Sequence, residues 1–112
     1  MDKHFTQWME ESRLKAWRKM TERLLLADGT ALSIQASETH YCAPRSDMDS
    51  YSDYYEFEIG FPTTHIAELE KYQDGAGDHT SSVFGYVPVA VIEALIAARG
   101  GVVGVQIPTP AA

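Results

Sequence analysis

Leu24-Leu25-Leu26-Ala27-Asp28-Gly29-Thr30-Ala31-Leu32-Ser33-Ile34-Gln35-Ala36 sets two apolar runs on either side of an Asp-Gly step. Asp-Gly accepts positive φ at both central positions of a type I′ turn, so the stretch reads as a β-hairpin. Leu32, Ile34 and Ala36 alternate with Ser33 and Gln35, which gives the second strand one buried face. Tyr54-Tyr55-Glu56-Phe57-Glu58-Ile59-Gly60-Phe61 also alternates, and Pro62 ends it. Tyr55, Phe57, Ile59 and Phe61 are expected to face inward, with Tyr54, Glu56 and Glu58 outward. The intervening residues 38–53 hold Pro44, three Ser, three Asp and no aliphatic run. They read as a long loop of the kind that carries function.

Downstream, Thr63-Thr64 offers an N-cap for a short helix over 64–72 with apolar Ile66, Leu69 and Tyr72. Residues 73–82 form a Gly/Asp/Ser loop, and Val83 to Tyr86 a short strand. Pro88 opens a helix to Arg99 that Gly100-Gly101 stops. Its Val91, Ile92, Leu95, Ile96 and Ala98, with almost no charge, predict heavy burial. Val103, Val105 and Ile107 fit an edge strand in the tail. Upstream, residues 5–21 space Phe5, Trp8, Met9, Ala16, Trp17 and Met20 as one helical face, with Lys15, Lys19 and Arg23 on another. The expected fold is α+β: a small antiparallel sheet of three to four strands packed against an N-terminal and a C-terminal helix. The expected organisation is a single domain, 1–112. It comprises a basic amphipathic helix (1–23), a compact core (24–101) and a tail (102–112).

The chain has 112 residues, 45% hydrophobic and 22% charged, the make-up of one globular domain. No apolar run approaches the ~20 residues of a spanning helix. Met1 to Phe5 are followed by no apolar stretch, so no signal peptide is read and a bacterial host cytoplasm is expected. The single cysteine excludes an intramolecular disulfide and a Cys-only zinc site.

The net charge is −7, unevenly spread. Residues 1–23 carry Lys3, Arg13, Lys15, Arg18, Lys19 and Arg23 against four acids, whereas residues 24–112 carry Arg45, Lys71 and Arg99 against twelve. The larger part should repel nucleic acid and anionic membranes and attract basic surfaces. Acidity that merely keeps the protein in solution is the alternative.

Catalytic patterns are weak. His40 and Cys42 lie two apart and would need further donors, such as Asp47 or His65, to hold a metal. A Cys42 nucleophile with a His40 base lacks an orienting acid and an oxyanion donor. The acidic run from Asp47 echoes a calcium loop, but Ser52 stands where glycine is needed and Glu58 lies inside a strand. Gly75-Ala76-Gly77 is too short to cradle phosphates. No catalytic residue, metal ligand or cofactor is assigned.

The acids between Asp47 and Asp78 are the remaining candidates. Asp47, Asp49, Asp53, Glu56, Glu58, Glu68, Glu70, Asp74 and Asp78, with Tyr51 and Tyr54, form the expected partner-binding set. Glu56 and Glu58 on one strand face stand about 7 Å apart, near the phosphate step of a DNA strand. Tyrosines add rigid contact area.

Several stretches carry a resemblance. They are Leu26-Ala27-Asp28-Gly29-Thr30 with Leu32 to Ser37, His40-Tyr41-Cys42-Ala43-Pro44-Arg45, Tyr55 to Pro62, and Gly85-Tyr86-Val87-Pro88. Over about residues 24–101 the chain resembles small uncharacterised phage and prophage proteins, and it is similar in kind to anti-CRISPR inhibitor proteins. The resemblance implies a mobile-element origin and a non-enzymatic inhibitor whose acidic surface blocks the DNA-binding groove of an RNA-guided CRISPR effector complex. The acidic charge and the lack of a spanning run lead to the expectation of no direct nucleic-acid or membrane contact. The alternative is a self-associating phage accessory or structural protein that dimerises through the Trp8/Trp17 helix.

Overall fold

The computed structural model describes residues 23–48 and 53–106, with only the backbone of Val105 and Gln106. Strands β1 (Arg23–Leu26), β2 (Ala31–Gln35), β3 (Glu56–Gly60), β4 (Val83–Pro88) and β5 (Val102–Gln106) form one sheet in the order β4-β3-β2-β1-β5. Every neighbouring pair is antiparallel. Helix α1 (Val89–Ala98) carries the chain from β4 at one edge to β5 at the other. Leu24, Leu32, Ile34, Phe57, Ile59 and Phe84 from the sheet share one buried cluster with Ile92, Leu95 and Ile96 of α1. An α+β architecture is therefore present, with five strands instead of three to four, because both the hairpin start and the tail pair fully. The predicted N-terminal helix, 5–21, lies outside the described residues.

The hairpin forms as its pattern requires, with Leu24 opposite Leu32. Its turn differs from the type I′ expectation. Gly29 is the turn residue with positive φ, at 94°. The Gly29 N–H donates to the Leu26 carbonyl at 3.0 Å and the Leu26 N–H to the Thr30 carbonyl at 2.8 Å. This is a type I turn closed by a glycine bulge. Asp28 favours it by accepting the Thr30 N–H on its carboxylate, at 2.9 Å.

In β3, Phe57 and Ile59 are buried, but the alternation fails at both ends. Tyr54 is 3% exposed and Tyr55 63%. The Tyr54 hydroxyl reaches inside the loop, donating to the Ser46 carbonyl (2.5 Å) and accepting the Met48 N–H (2.8 Å). Phe61 has φ 50° and turns its ring outward, half exposed.

The segment 64–72 is a 3₁₀ helix, Ala67–Tyr72, not an α-helix. The strict spacing of Ile66, Leu69 and Tyr72 by three matches its three residues per turn. Thr63 does not cap it. Its hydroxyl accepts the Ala31 N–H at 3.0 Å and its own N–H donates to the Ala31 carbonyl at 2.9 Å, which ties the loop to β2.

Helix α1 ends as predicted. The Gly101 N–H donates to the Ile96 carbonyl (3.0 Å) and the Gly100 N–H to the Ala97 carbonyl (3.2 Å), a Schellman pair. The helix is less buried than its lack of charge suggests: Ala90, Ala94, Ala97 and Ala98 are exposed. Alanine is a strong helix former that needs no burial, so their side chains say little about depth.

Candidate functional site

The nearest neighbours of the predicted acids divide them into two groups. Four are engaged internally. Asp47 accepts the Glu38 N–H at 3.0 Å, and Glu58 accepts the Tyr41 N–H at 2.8 Å. Glu68 forms a two-point pair with Arg99 at 2.6 and 3.2 Å. Asp78 accepts the Thr80 N–H and hydroxyl, both at 2.9 Å. Asp53, Glu56, Glu70 and Asp74 have no side-chain hydrogen bond or ion pair among the described residues, and all but the half-buried Glu56 are exposed. Asp49 and Tyr51 lie outside the described residues. Tyr54 leaves the predicted surface because its hydroxyl is spent inside the fold.

The Arg99 guanidinium holds the Glu68 carboxyl below its ordinary pKa, and the Thr80 N–H does the same for Asp78. A carboxyl with a depressed folded pKa contributes stability above its unfolded pKa, which is lost as pH falls through the folded value. Melting temperature should therefore drop as pH falls below about 4.3, the unperturbed Glu value. Glu68→Gln should flatten that acid limb slightly, by about 0.5 kcal/mol because the pair is partly solvated. A thermal-melt series across pH, run on both proteins, checks this.

Two of these acids, Glu58 and Asp74, adjoin an aromatic feature. Residue Tyr41 lies over the outer side of β4, where a Cβ at Gly85 would come 3.0 Å from the Tyr41 Cβ. Between the pairs Phe57–Val87 and Ile59–Phe84, β4 advances three residues while β3 advances two. The extra residue makes a bulge at Gly85-Tyr86 and places Tyr86 at φ 54°, a conformation a bulky side chain rarely adopts. The Tyr86 N–H, turned from the ladder, donates to the Tyr41 carbonyl at 2.9 Å. The two rings stack with centroids 6.0 Å apart. Glu58 is thus a support for the Tyr41 backbone. Tyr41, Tyr72 and Tyr86, with Gln73, Asp74 and Gly85, line a cleft of about 250 Å³.

His65, which the sequence offers as a further donor for His40 and Cys42, pairs instead with His79, which it does not mark. His79 is 2% exposed, stacks on exposed His65 at 3.8 Å and meets the Phe84 ring edge-on at 5.1 Å. Donor atoms of His65, His79 and Glu70 lie within 4.8 Å of one another. The Ile66 N–H donates to His79 Nδ1 at 3.1 Å, which leaves the neutral ring's proton on Nε2. That nitrogen is buried without a hydrogen-bond partner among the described residues. A protonated Nε2 has no lone pair for a metal. Rings stacked 3.8 Å apart and only 18° from parallel also keep their in-plane lone pairs in two separate planes, so one ion cannot lie in both. The geometry is that of a packing pair. No sequence signal marks it, since Asp78-His79-Thr80 reads as loop.

His40 and Cys42 each bond to Ser37, and no hydrogen bond joins their side chains among the described residues. A His40 ring nitrogen is bonded to the Ser37 hydroxyl at 2.6 Å, and the Cys42 thiol donates to the Ser37 carbonyl at 3.1 Å. Burial pushes the Cys42 thiol pKa up, which keeps it protonated and unsuited to nucleophilic attack. Among the described residues no helix is long and apolar enough to cross a membrane.

No family model matches the chain, and no curated protein or solved structure matches it.

Proposed function

We propose that this chain is a non-enzymatic binding protein of anti-CRISPR type, acting in a bacterial host cytoplasm. Its acidic surface would occupy the Lys/Arg-lined DNA groove of an RNA-guided effector complex. The observation that carries the reading is the surplus of uncommitted carboxylate. Asp53, Glu70 and Asp74 are exposed and unpaired among the described residues, and Glu56 on β3 is half-buried and likewise unpaired there. Of Arg45, Lys71 and Arg99, the last is paired with Glu68, and the first two lie over the Tyr41 and Tyr72 rings and not against these carboxylates. Unpaired surface charge of one sign steers a partner of the other.

The test is capture of the tagged protein's partners from lysate containing CRISPR effector complexes, at low and moderate salt. Stoichiometric recovery of an effector subunit, weakened by salt, is the expected result. Recovery of the chain alone at both salts would move the reading to a self-associating accessory protein built on the Trp8/Trp17 helix.

A further inference from the structure

The cleft of Tyr41, Tyr72, Tyr86 and Asp74 has a chemistry of its own. Tyrosine ring faces attract cations, and two of the three rings already hold one: the Arg45 guanidinium carbon lies 5.2 Å from the Tyr41 centroid and Lys71 Nζ 5.2 Å from that of Tyr72. Neither Tyr86 nor the Asp74 carboxylate has a cation against it among the described residues. The three phenol hydroxyls and the Asp74 carboxylate also make no hydrogen bond there. These groups converge on one cleft of about 250 Å³, below the roughly 300–1,000 Å³ of sites for drug-sized ligands and suited to the head of one side chain.

The cleft is also built in advance. The Glu58 carboxylate holds the Tyr41 N–H, the Tyr41 carbonyl takes the Tyr86 N–H, and the Asp74 N–H donates to the Val83 carbonyl at 2.8 Å. Tyr86 is kept at φ 54° by these contacts, a strained backbone of the kind found at binding sites. A backbone fixed before binding loses little entropy on binding. We propose that this cleft is a cage for the cationic head of a lysine or arginine side chain presented by a protein partner. The inference rests on the reading that the partner surface is basic, and it names the anchor on that surface.

An NMR titration of the full chain tests it with four probes: choline, N-acetylarginine amide, the uncharged tert-butyl isostere of choline, and a neutral hexose. The two cations should shift the ring signals of Tyr41, Tyr72 and Tyr86 with millimolar affinity, and the isostere should bind about tenfold more weakly. Asp74→Asn should weaken the cations about fivefold. Tyr86→Gly, which removes the ring and relieves the positive φ, should melt no lower than wild type and lose the cation response. Arg45→Ala and Lys71→Ala should bind the cations equally or more tightly. Equal binding of the isostere, tighter binding of the hexose, silence towards both cations, or loss of binding in the Arg45 or Lys71 variants would each overturn the cage. Effector capture without cation binding removes the cage alone. Cation binding without effector capture keeps the cage and removes the effector reading.

Discussion

Replacing Asp53, Glu70 and Asp74 together by Lys should weaken effector binding by about 100-fold at physiological salt, at roughly fivefold per reversed residue. All three are exposed and make no side-chain hydrogen bond among the described residues, so the fold should be unaffected. Reversal both removes an attraction and creates a repulsion, which is why the effect exceeds that of neutral replacements. The loss should be greatest at low salt, where exposed charges are least screened. Calorimetry or anisotropy against a purified effector measures it, with a thermal melt of the triple variant as the folding check. Glu56 and Glu58 are a poorer pair for this experiment, although the strand pattern selects them first. Glu58→Lys takes the acceptor from the Tyr41 N–H and would disturb the backbone that the carboxylate supports together with the charge.

The second large effect concerns the fold. Gly100→Ala should cost about 2–3 kcal/mol. Gly100 sits at φ 87°, and a Cβ there would come 2.8 Å from the Ala27 Cβ. Ala27 cannot easily retreat. Its N–H donates to the Gly101 carbonyl at 3.0 Å and the Asp28 N–H to the Arg99 carbonyl at 3.2 Å, so the hairpin turn and the end of α1 are joined by their backbones. Gly101→Ala is the control. Gly101 has nearly the same φ, 89°, and an open space around its Cβ direction, so it should lose only about 1 kcal/mol from backbone strain. The difference between the variants isolates the contact with Ala27, and it should appear as a melting-temperature gap of roughly 4–15 °C. Equal melting temperatures would mean that the turn yields.

What the sequence discloses follows from which signals are local. The hairpin, the apolar faces of β2 and β3, and the glycine stop of α1 rest on alternation and on glycine's freedom, and each can be read within a few residues, whereas the burial of Gln35 on the opposite face of β2 cannot. The reversed Tyr54 and Tyr55 cannot. Tyr54 is buried because its hydroxyl finds the Ser46 carbonyl and the Met48 N–H, partners that only the folded loop supplies. The β4 bulge escapes for a similar reason: positive φ at Tyr86 is dictated by Tyr41 crossing Gly85, a contact between distant segments.

The candidate site shows the same limit. Composition places a surplus of acid in residues 47–78, but spacing does not tell which carboxylates the fold consumes. Glu58, Glu68 and Asp78 become internal acceptors, whereas Asp53, Glu70 and Asp74 do not. The tyrosine cleft joins Tyr41, Tyr72 and Tyr86 across three segments, so no window of sequence contains it.

The central claim is that this acidic surface occupies a groove built for DNA. The most direct measurement is displacement of a labelled DNA target from a purified, guide-loaded CRISPR effector by this protein, followed by fluorescence anisotropy at low and moderate salt. Stoichiometric displacement that weakens with salt, and that needs about 100-fold more of the triple lysine variant, is the predicted result. DNA that stays bound at saturating protein at both salts would contradict the claim.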